Sequence, residues 1–259
     1  MQLSKKMVCL GAVVALLALV GCNKNGSKTA GGQTEYVVGT DATYAPFEFQ
    51  NDKRELEGFD IDIIKAVADK AGLKIKLVNT PWEGLFASLQ QGDCDLLISA
   101  ITITDERKQT MGFSDPYFEA HQLIAVGHDV STVSKFVDLE GMKVAVQTGT
   151  TGDDLVQRLM GKTNPNIKRF ESVPLALQEL KDGGVQAVVA DNGVVVNFIK
   201  NNPSVGFKVV SDSHSFQEEF YGIAVKKGNH ELLQKIDMGV RAMKADGSYD
   251  KIYAKWFAK

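Results

Sequence analysis

The chain has 259 residues, of which 44% are hydrophobic and 24% are charged, the composition of an ordinary soluble globular protein. Its formal net charge is −3 and it has no block of basic residues, which argues against a nucleic acid as the partner. Of its three cysteines, Cys9 and Cys22 lie in or next to an N-terminal apolar stretch. Only Cys94 remains for the folded part, so an intramolecular disulfide is excluded there.

The first 21 residues have the features of a signal peptide. Lys5 and Lys6 give a positive start, and the uncharged stretch 7–21 is too short to span a membrane. It ends in Leu19-Val20-Gly21-Cys22, which resembles a bacterial lipobox. We therefore expect residues 1–21 to be removed and Cys22 to be lipidated. The alternative is a plain secretory signal with an unrelated cysteine, or a short membrane anchor.

Residues 22–34 are rich in glycine and polar side chains and have little to bury. Such a segment is expected to be a flexible tether, with a random-coil span of about 20 Å. Residues 1–21 hold two lysines and no acidic residue, so their removal changes the formal net charge from −3 to −5.

From residue 35 onward, short β-branched runs alternate with amphipathic stretches. The predicted strands are 35–39, 74–78, 96–99, 122–126, 143–146, 167–170, 187–190, 207–210 and 222–225. The predicted helices are 60–71, 82–90, 105–110, 151–160, 173–181, 193–200, 230–245 and 249–257. Several strands are continuous apolar runs, which is typical of strands covered by helices on both faces. The alternation predicts an α/β fold with one or two mainly parallel sheets.

Ligands of open α/β sheets bind beyond the carboxyl ends of the strands. The segments that follow the predicted strands carry carboxylates, one arginine, two aromatic residues, several hydroxyl groups and a glycine-containing helix start. These segments are 40–48, 79–83, 99–107, 146–152 and 189–192. If they converge, they supply the groups that a zwitterion with a polar side chain requires.

Several motifs occur together in a fixed order. They are Gly39-Thr40-Asp41 with Tyr44-Ala45-Pro46-Phe47, Gly58-Phe59-Asp60-Ile61-Asp62, Ile101-Thr102-Ile103-Thr104-Asp105-Glu106-Arg107, Phe113-Ser114-Asp115-Pro116-Tyr117, Tyr221-Gly222-Ile223-Ala224, and Gly247 through Tyr253 to Trp256-Phe257. In this order and spacing, the chain resembles the polar amino-acid solute-binding proteins of ABC transporters over nearly all of residues 35–257.

The resemblance implies a two-lobed type II periplasmic-binding fold with two hinge crossovers. Lobe 1 would comprise residues 35–116 and 222–259, and lobe 2 residues 122–217. The hinges would be 117–121 and 218–221. A free amino acid would be held between the two lobes and would favour their closure.

The resemblance also implies roles for individual residues. The ligand α-carboxylate would be bound by Arg107, Thr102, Thr150 and Thr151. The α-amine would be bound by Asp191, Ser99 and Thr102. The side-chain pocket would comprise Asp41, Tyr44, Trp82, Ala100 and Gln147. An arginine suits the carboxylate because its planar donor fork matches the two oxygens.

The residues alone leave other interpretations open. Arg107 could pair with Asp105 on an exposed helix. Asp191 and Thr150 could cap the helices that follow them. Tyr44 and Trp82 could be core aromatics, with Asp41 as a turn residue.

The side-chain pocket favours a basic ligand. An aromatic pair around Asp41 suits a cationic side chain, and the neutral Gln147 leaves the Asp41 charge uncompensated. The stretches 82–89 and 146–152 also resemble the arginine/lysine/histidine binders most, so arginine is favoured. Glutamine, cystine or another polar amino acid remains an alternative, because a carboxylate also accepts from an amide.

The sequence gives less support to other functional classes. The sequence has no Gly-x-Ser-x-Gly, no phosphate-binding loop, no Cys-x-x-Cys and no zinc spacing among its four histidines, so no enzyme, cofactor or metal site is expected. An amino-acid sensor, an adhesin lipoprotein or an enzyme on the same fold are the remaining alternatives. The expected partners are a free amino acid, an ABC-transporter permease and, through the lipid at Cys22, the membrane of the cell envelope. We expect a monomer.

Overall fold

The computed structural model describes residues 34–258. The predicted signal peptide, the lipidation site Cys22 and nearly all of the tether lie outside the described residues. Among residues 34–258, no helix combines the length and the apolar character needed to cross a membrane.

The strands are β1 (Glu35–Thr40), β2 (Thr43–Tyr44), β3 (Glu48–Gln50), β4 (Leu56–Glu57), β5 (Lys74–Asn79), β6 (Leu96–Leu97), β7 (Met111–Phe113), β8 (Phe118–Ala120), β9 (Gln122–Val126), β10 (Val144–Gln147), β11 (Ile167–Phe170), β12 (Ala187–Asp191), β13 (Lys208–Val210), β14 (Glu219–Tyr221) and β15 (Ala224–Lys226). The helices are α1 (Phe59–Ala71), α2 (Trp82–Gln91), α3 (Asp105–Thr110), α4 (Thr151–Met160), α5 (Val173–Lys181), α6 (Asn192–Asn201), α7 (His230–Ala245) and α8 (Ser248–Phe257). Two short 3-10 helices, Phe136–Leu139 and Pro203–Val205, complete the list.

All the predicted helices are present. Those at 105–110, 151–160, 173–181 and 230–245 have the predicted bounds, and the others differ by one residue at one or both ends. The strand predicted at 96–99 was too long, because β6 ends at Leu97 and the chain then turns at Ala100, whose φ is 45°. The prediction 222–225 was shifted, since β15 begins at Ala224. The short strands β2, β3, β4, β7, β8 and β14 were not predicted.

Two five-stranded sheets form the framework. The first has the order β5-β1-β6-β15-β7, and the second has the order β11-β10-β12-β9-β13. In the first sheet, β1 is parallel to β5 and β6, and only β15 runs against its neighbours. In the second, β10 is parallel to β11 and β12, and only β9 runs against its neighbours. We call the part built on the first sheet lobe 1 and the part built on the second lobe 2.

The two strands that run against their sheets, β9 and β15, each follow a crossover between the lobes. The crossover segments contain β8 and β14, which pair with each other as a two-stranded antiparallel sheet. The two-lobed α/β fold with two crossovers is thus confirmed, with sheets that are mainly parallel as predicted. The residue boundaries of the lobes and hinges remain a prediction.

Phe47 packs at the junction of the crossovers. Its ring lies 5.0 Å from that of Phe118 and 5.4 Å from that of Tyr221, one from each crossover strand. The turn before α1 depends on Gly58, whose φ is 137° and where a Cβ atom would lie 2.1 Å from the carbonyl oxygen of Phe47. On the other side, the Phe47 ring faces Gly193 at the start of α6 in lobe 2, where a Cβ atom would lie 2.6 Å from the ring. Glycine therefore lets the two lobes approach closely here.

Candidate ligand-binding site

A cavity lies between the lobes, with about 340 Å³ of empty volume that is partly open to solvent. Its lining contains every residue predicted for the ligand, namely Asp41, Tyr44, Trp82, Ser99, Ala100, Thr102, Arg107, Gln147, Thr150, Thr151 and Asp191. One further residue, Glu48, lines it and was not predicted. The structure therefore brings the predicted set together, while the role of each residue toward a ligand remains a prediction.

Several lining residues lie at the carboxyl ends of sheet strands, as the rule for open α/β sheets requires. Lobe 1 contributes Asp41 after β1 and the loop 99–102 after β6. In this loop Ala100 has a φ of 45°, and its N–H donates to Asp60 Oδ2 at 2.7 Å. Lobe 2 contributes Gln147 at the end of β10 and Asp191 at the end of β12.

Arg107 spans the cleft. Its Nη1 donates to the carbonyl oxygen of Thr102 at 2.9 Å, and its Nη2 to the carbonyl oxygen of Gly149 in lobe 2 at 3.4 Å. The guanidinium carbon lies 5.5 Å from the ring centroid of Trp82 and 5.3 Å from that of Phe86, which are cation–π distances. Burial lowers the pKa of Arg107, and neighbouring carboxylates oppose this effect. The arginine is thus aimed into the cleft rather than paired with the exposed Asp105 on α3.

The hydroxyl groups of the three lining threonines already donate to protein acceptors. Thr102 Oγ1 and Thr151 Oγ1 each donate to Glu219 Oε2 at 2.8 Å, and Thr150 Oγ1 donates to the carbonyl oxygen of Gln147 at 2.9 Å. Thr150 also caps α4, because its hydroxyl accepts from the N–H of Asp153 at 3.3 Å. What α4 presents to the cleft is therefore the N-terminal end of its main chain, which favours negative charge.

Asp191 is the N-cap residue of α6 but makes no side-chain capping bond. Its Oδ2 accepts from the hydroxyls of Tyr44 at 2.8 Å and Tyr221 at 2.5 Å, and its Oδ1 accepts from Gln122 Nε2. Burial and repulsion from Glu219 raise the pKa of Asp191 to about 6, against the effect of these hydrogen bonds. A carboxylate offers about four lone-pair sites, so one remains for a ligand donor.

Asp41 is 5% exposed and has no salt-bridge partner among residues 34–258. Its Oδ1 accepts from the hydroxyl of Thr43 at 3.0 Å. Burial raises the pKa of Asp41, and hydrogen bonds from Thr43, from the main chain of Trp82 and from Gln147 oppose this. The carboxylate therefore lies at the cavity without a counter-charge.

Trp82 closes one wall of the cavity and links the lobes. Its Nε1 donates to the carbonyl oxygen of Thr148 in lobe 2 at 3.0 Å. Trp82 and Tyr44 are 8% and 9% exposed, so they are buried aromatics and cavity walls at the same time.

Glu48 and Asp60 form a buried pair of carboxyl groups beside the cavity. Burial and the charge of Asp60 raise the pKa of Glu48 well above its usual range, and burial raises that of Asp60 to about 6. Glu48 Oε2 and Asp60 Oδ1 are both buried without another partner. Burial and the neighbouring carboxylate favour the neutral form of Glu48, and a proton on Glu48 donated to Asp60 would satisfy both atoms. Its other oxygen accepts from Ser99 Oγ at 2.9 Å.

Four residues that organise the site were not predicted from the sequence: Glu48, Gln122, Glu219 and Tyr221. The last three belong to the crossovers or to the residue directly after one. Their position in the predicted hinges, or next to one, could have indicated them, because a segment that connects two lobes must pass the cleft between them. Among the described residues, no group of three or more histidine, cysteine or acidic side chains is arranged to hold a metal ion.

Residues 36–259 match the family model described as bacterial extracellular solute-binding proteins, family 3. The chain belongs to this family. It is 43% identical over 260 residues to a "probable histidine-binding protein" of Neisseria gonorrhoeae, covering 98% of this chain and 96% of the relative.

Two solved structures agree with this assignment. The arginine-, lysine-, histidine-binding protein ArtJ of Geobacillus stearothermophilus is 46% identical, with a TM-score of 0.84, covering 87% of this chain and 96% of that one. An ancestral arginine-binding protein bound to glutamine is 45% identical, with a TM-score of 0.81, covering 87% and 98%. The predicted family is therefore confirmed, and these relatives are binding proteins by name.

Proposed function

We propose that this solute-binding protein captures a basic L-amino acid, with arginine favoured, outside the cytoplasmic membrane and delivers it to an ABC importer. The observation that carries the proposal is Asp41, a buried carboxylate at the cavity wall with no cationic partner in the described part of the chain. A buried charge without a partner costs free energy, which a cationic ligand would recover.

The charge balance of the cavity supports a cationic ligand. Asp41 and Asp191 each contribute one negative charge, Arg107 contributes one positive charge, and Glu48 contributes none in its neutral form, which burial favours. With Glu48 neutral, the lining therefore carries one excess negative charge. Arginine or lysine, each with a net charge of +1, would neutralise it, whereas glutamine would leave it in place.

The two ends of the ligand would be bound by different groups. Arg107 and the first main-chain N–H groups of α4, at Thr151 and Gly152, would bind the α-carboxylate. Asp191, the hydroxyl oxygen of Thr102 and the main-chain carbonyl of Ser99 would accept hydrogen bonds from the α-ammonium group. Since these groups come from both lobes, the ligand favours the closed arrangement.

Asp41, Tyr44, Trp82, Ala100 and Gln147 would surround the ligand side chain. The tyrosine and tryptophan rings would line the aliphatic part and the cation, and Asp41 would accept from its tip. The names of several relatives support the same ligand class, since they are given as histidine- or arginine-binding proteins, whereas one relative of 31% identity is given as an L-cystine-binding protein. Glutamine is the second candidate, because an ancestral arginine-binding protein of the same fold was solved with glutamine bound.

Calorimetric titration of residues 23–259 with arginine, lysine, histidine, glutamine and cystine tests the proposal. We expect the tightest binding from a basic amino acid. Tight glutamine binding without measurable arginine binding would overturn the choice of ligand class, and no binding of any amino acid would overturn the function.

The place of action follows from the N-terminal sequence. We propose that Cys22 carries a lipid anchor that holds the folded part, as a monomer, at the membrane surface near its permease. Metabolic labelling with a fatty acid should label the wild-type protein and not the Cys22→Ala variant. A labelled variant would disprove the site.

A further inference from the structure

Glu219 lies in the second crossover and contacts lining residues of both lobes. Its Oε2 accepts from Thr102 Oγ1 in lobe 1 and from Thr151 Oγ1 in lobe 2, each at 2.8 Å. Its Oε1 accepts from Gln122 Nε2 at 3.2 Å, and the same amide donates to Asp191. Glu219 thus bonds directly to Thr102 and Thr151. Through Gln122 it is also connected to Asp191, the residue predicted to bind the α-amine.

The side chain of Glu219 stands behind the cavity rather than in its wall. It is absent from the cavity lining, whereas both threonines belong to it. It borders a separate surface groove on the far side of the same two threonines. Glu219 therefore acts on a ligand through Thr102 and Thr151, and through Gln122 on Asp191.

A threonine hydroxyl has one proton and two lone pairs. When both protons point away from the cavity to Glu219, only hydroxyl oxygens face the ligand. Such an oxygen accepts from an ammonium group and offers no proton to a carboxylate. The hydroxyl of Thr151 is further occupied, because it accepts from Gln122 Nε2 at 3.2 Å.

We propose that Glu219 is a positioning residue that links the lobes behind the ligand and orients the hydroxyls of Thr102 and Thr151 as acceptors. This assigns Thr102 to the α-ammonium group and leaves the α-carboxylate to Arg107 and the main chain of α4. The inference rests on the proposed function, since it requires an amino acid in the cavity.

The proposal predicts the kinetic signature of a Glu219→Ala variant. The bridge between the lobes is lost, so the closed complex should open faster, with dissociation about tenfold faster and association nearly unchanged. Arginine and glutamine should be affected alike, because the effect acts at the α-groups. Glu219→Gln, whose amide oxygen can still accept, should recover part of the loss.

Stopped-flow fluorescence measures these rates, with Trp82 as the reporter and Trp256→Phe as the background. The matched control is Glu218→Ala, a neighbouring exposed carboxylate with no hydrogen bond to a lining residue, which should change neither rate. A double-mutant cycle adds Thr102→Val, in which Glu219→Ala should have a smaller effect than in the wild type.

Unchanged dissociation in Glu219→Ala, a loss confined to one ligand, or full additivity with Thr102→Val would each overturn the inference while the wild type still binds amino acids. If the wild type binds no amino acid, the proposed function fails first. The two failures are therefore distinguishable in the same experiment.

Discussion

Asp41→Asn is the sharpest test of the ligand class, because it removes a charge and keeps the shape. The wild-type carboxylate is buried, and hydrogen bonds from Thr43, the main chain of Trp82 and Gln147 leave about one of its four lone-pair sites for a ligand. A charge-assisted hydrogen bond contributes about 1.5–3 kcal/mol, so its loss should weaken arginine binding roughly 10- to 150-fold. Glutamine binding should change less than about threefold, since an asparagine can still pair with a neutral amide.

Isothermal titration of arginine and glutamine into the wild type and the variant gives the change in Kd for each ligand directly. The exposed Asp52→Asn is the matched control for the loss of one negative charge far from the cavity. The thermal midpoint of the ligand-free variant should not fall, because burial raises the pKa of Asp41 and the charge is therefore a cost to the folded state. Equal losses for arginine and glutamine, or a lower midpoint, would mean that Asp41 is structural and would refute the reasoning.

The α-carboxylate contact, the ammonium contact and the closed arrangement of the lobes can each be tested. Arg107→Ala should weaken the binding of every amino acid at least about 100-fold, because two charge-assisted bonds to the α-carboxylate are lost; unchanged calorimetric affinity would overturn its role. Since the pKa of Asp191 is raised to about 6, acidification protonates it, and affinity should fall about tenfold from pH 7 to pH 5; a Kd that is flat over this range would contradict the ammonium contact. Gly193→Ala places a Cβ atom 2.6 Å from the Phe47 ring, so closure should be hindered and affinity reduced roughly 5- to 150-fold. Gly84→Ala, where the added atom meets nothing within 4 Å, is the control, and equal affinities in the two variants would refute the closure argument.

The helices and the long strands could be predicted because their patterns extend over enough residues to be periodic. Strands such as β8 and β14 have three residues each and are set by pairing with each other across 99 or more positions of the chain. Local sequence has no information about such a pair. For the same reason β15 was placed two residues too early, since its start is set by its register with Leu97.

The residues predicted from the family motifs and from the rule about strand ends all line the cavity, and Glu48 is the lining residue that was not predicted. The contacts that these residues make with one another could not be predicted, because they depend on distances between the two lobes. Asp191 illustrates the difference. Its position after a strand suggested either a cap or a ligand contact, and only the geometry shows that Tyr44, Tyr221 and Gln122 occupy its oxygens.

The order of strands in lobe 1 has a consequence for how the chain folds. Strand β15, near the end of the chain, lies between β6 and β7, which are both formed before residue 114. Until residue 226 has been synthesised, β6 keeps an unpaired edge in the middle of its sheet, and the closure of that gap needs contacts of long sequence separation. The N-terminal lobe must therefore finish folding late, and any truncation before residue 226 removes an inner strand from the half of the protein that is made first.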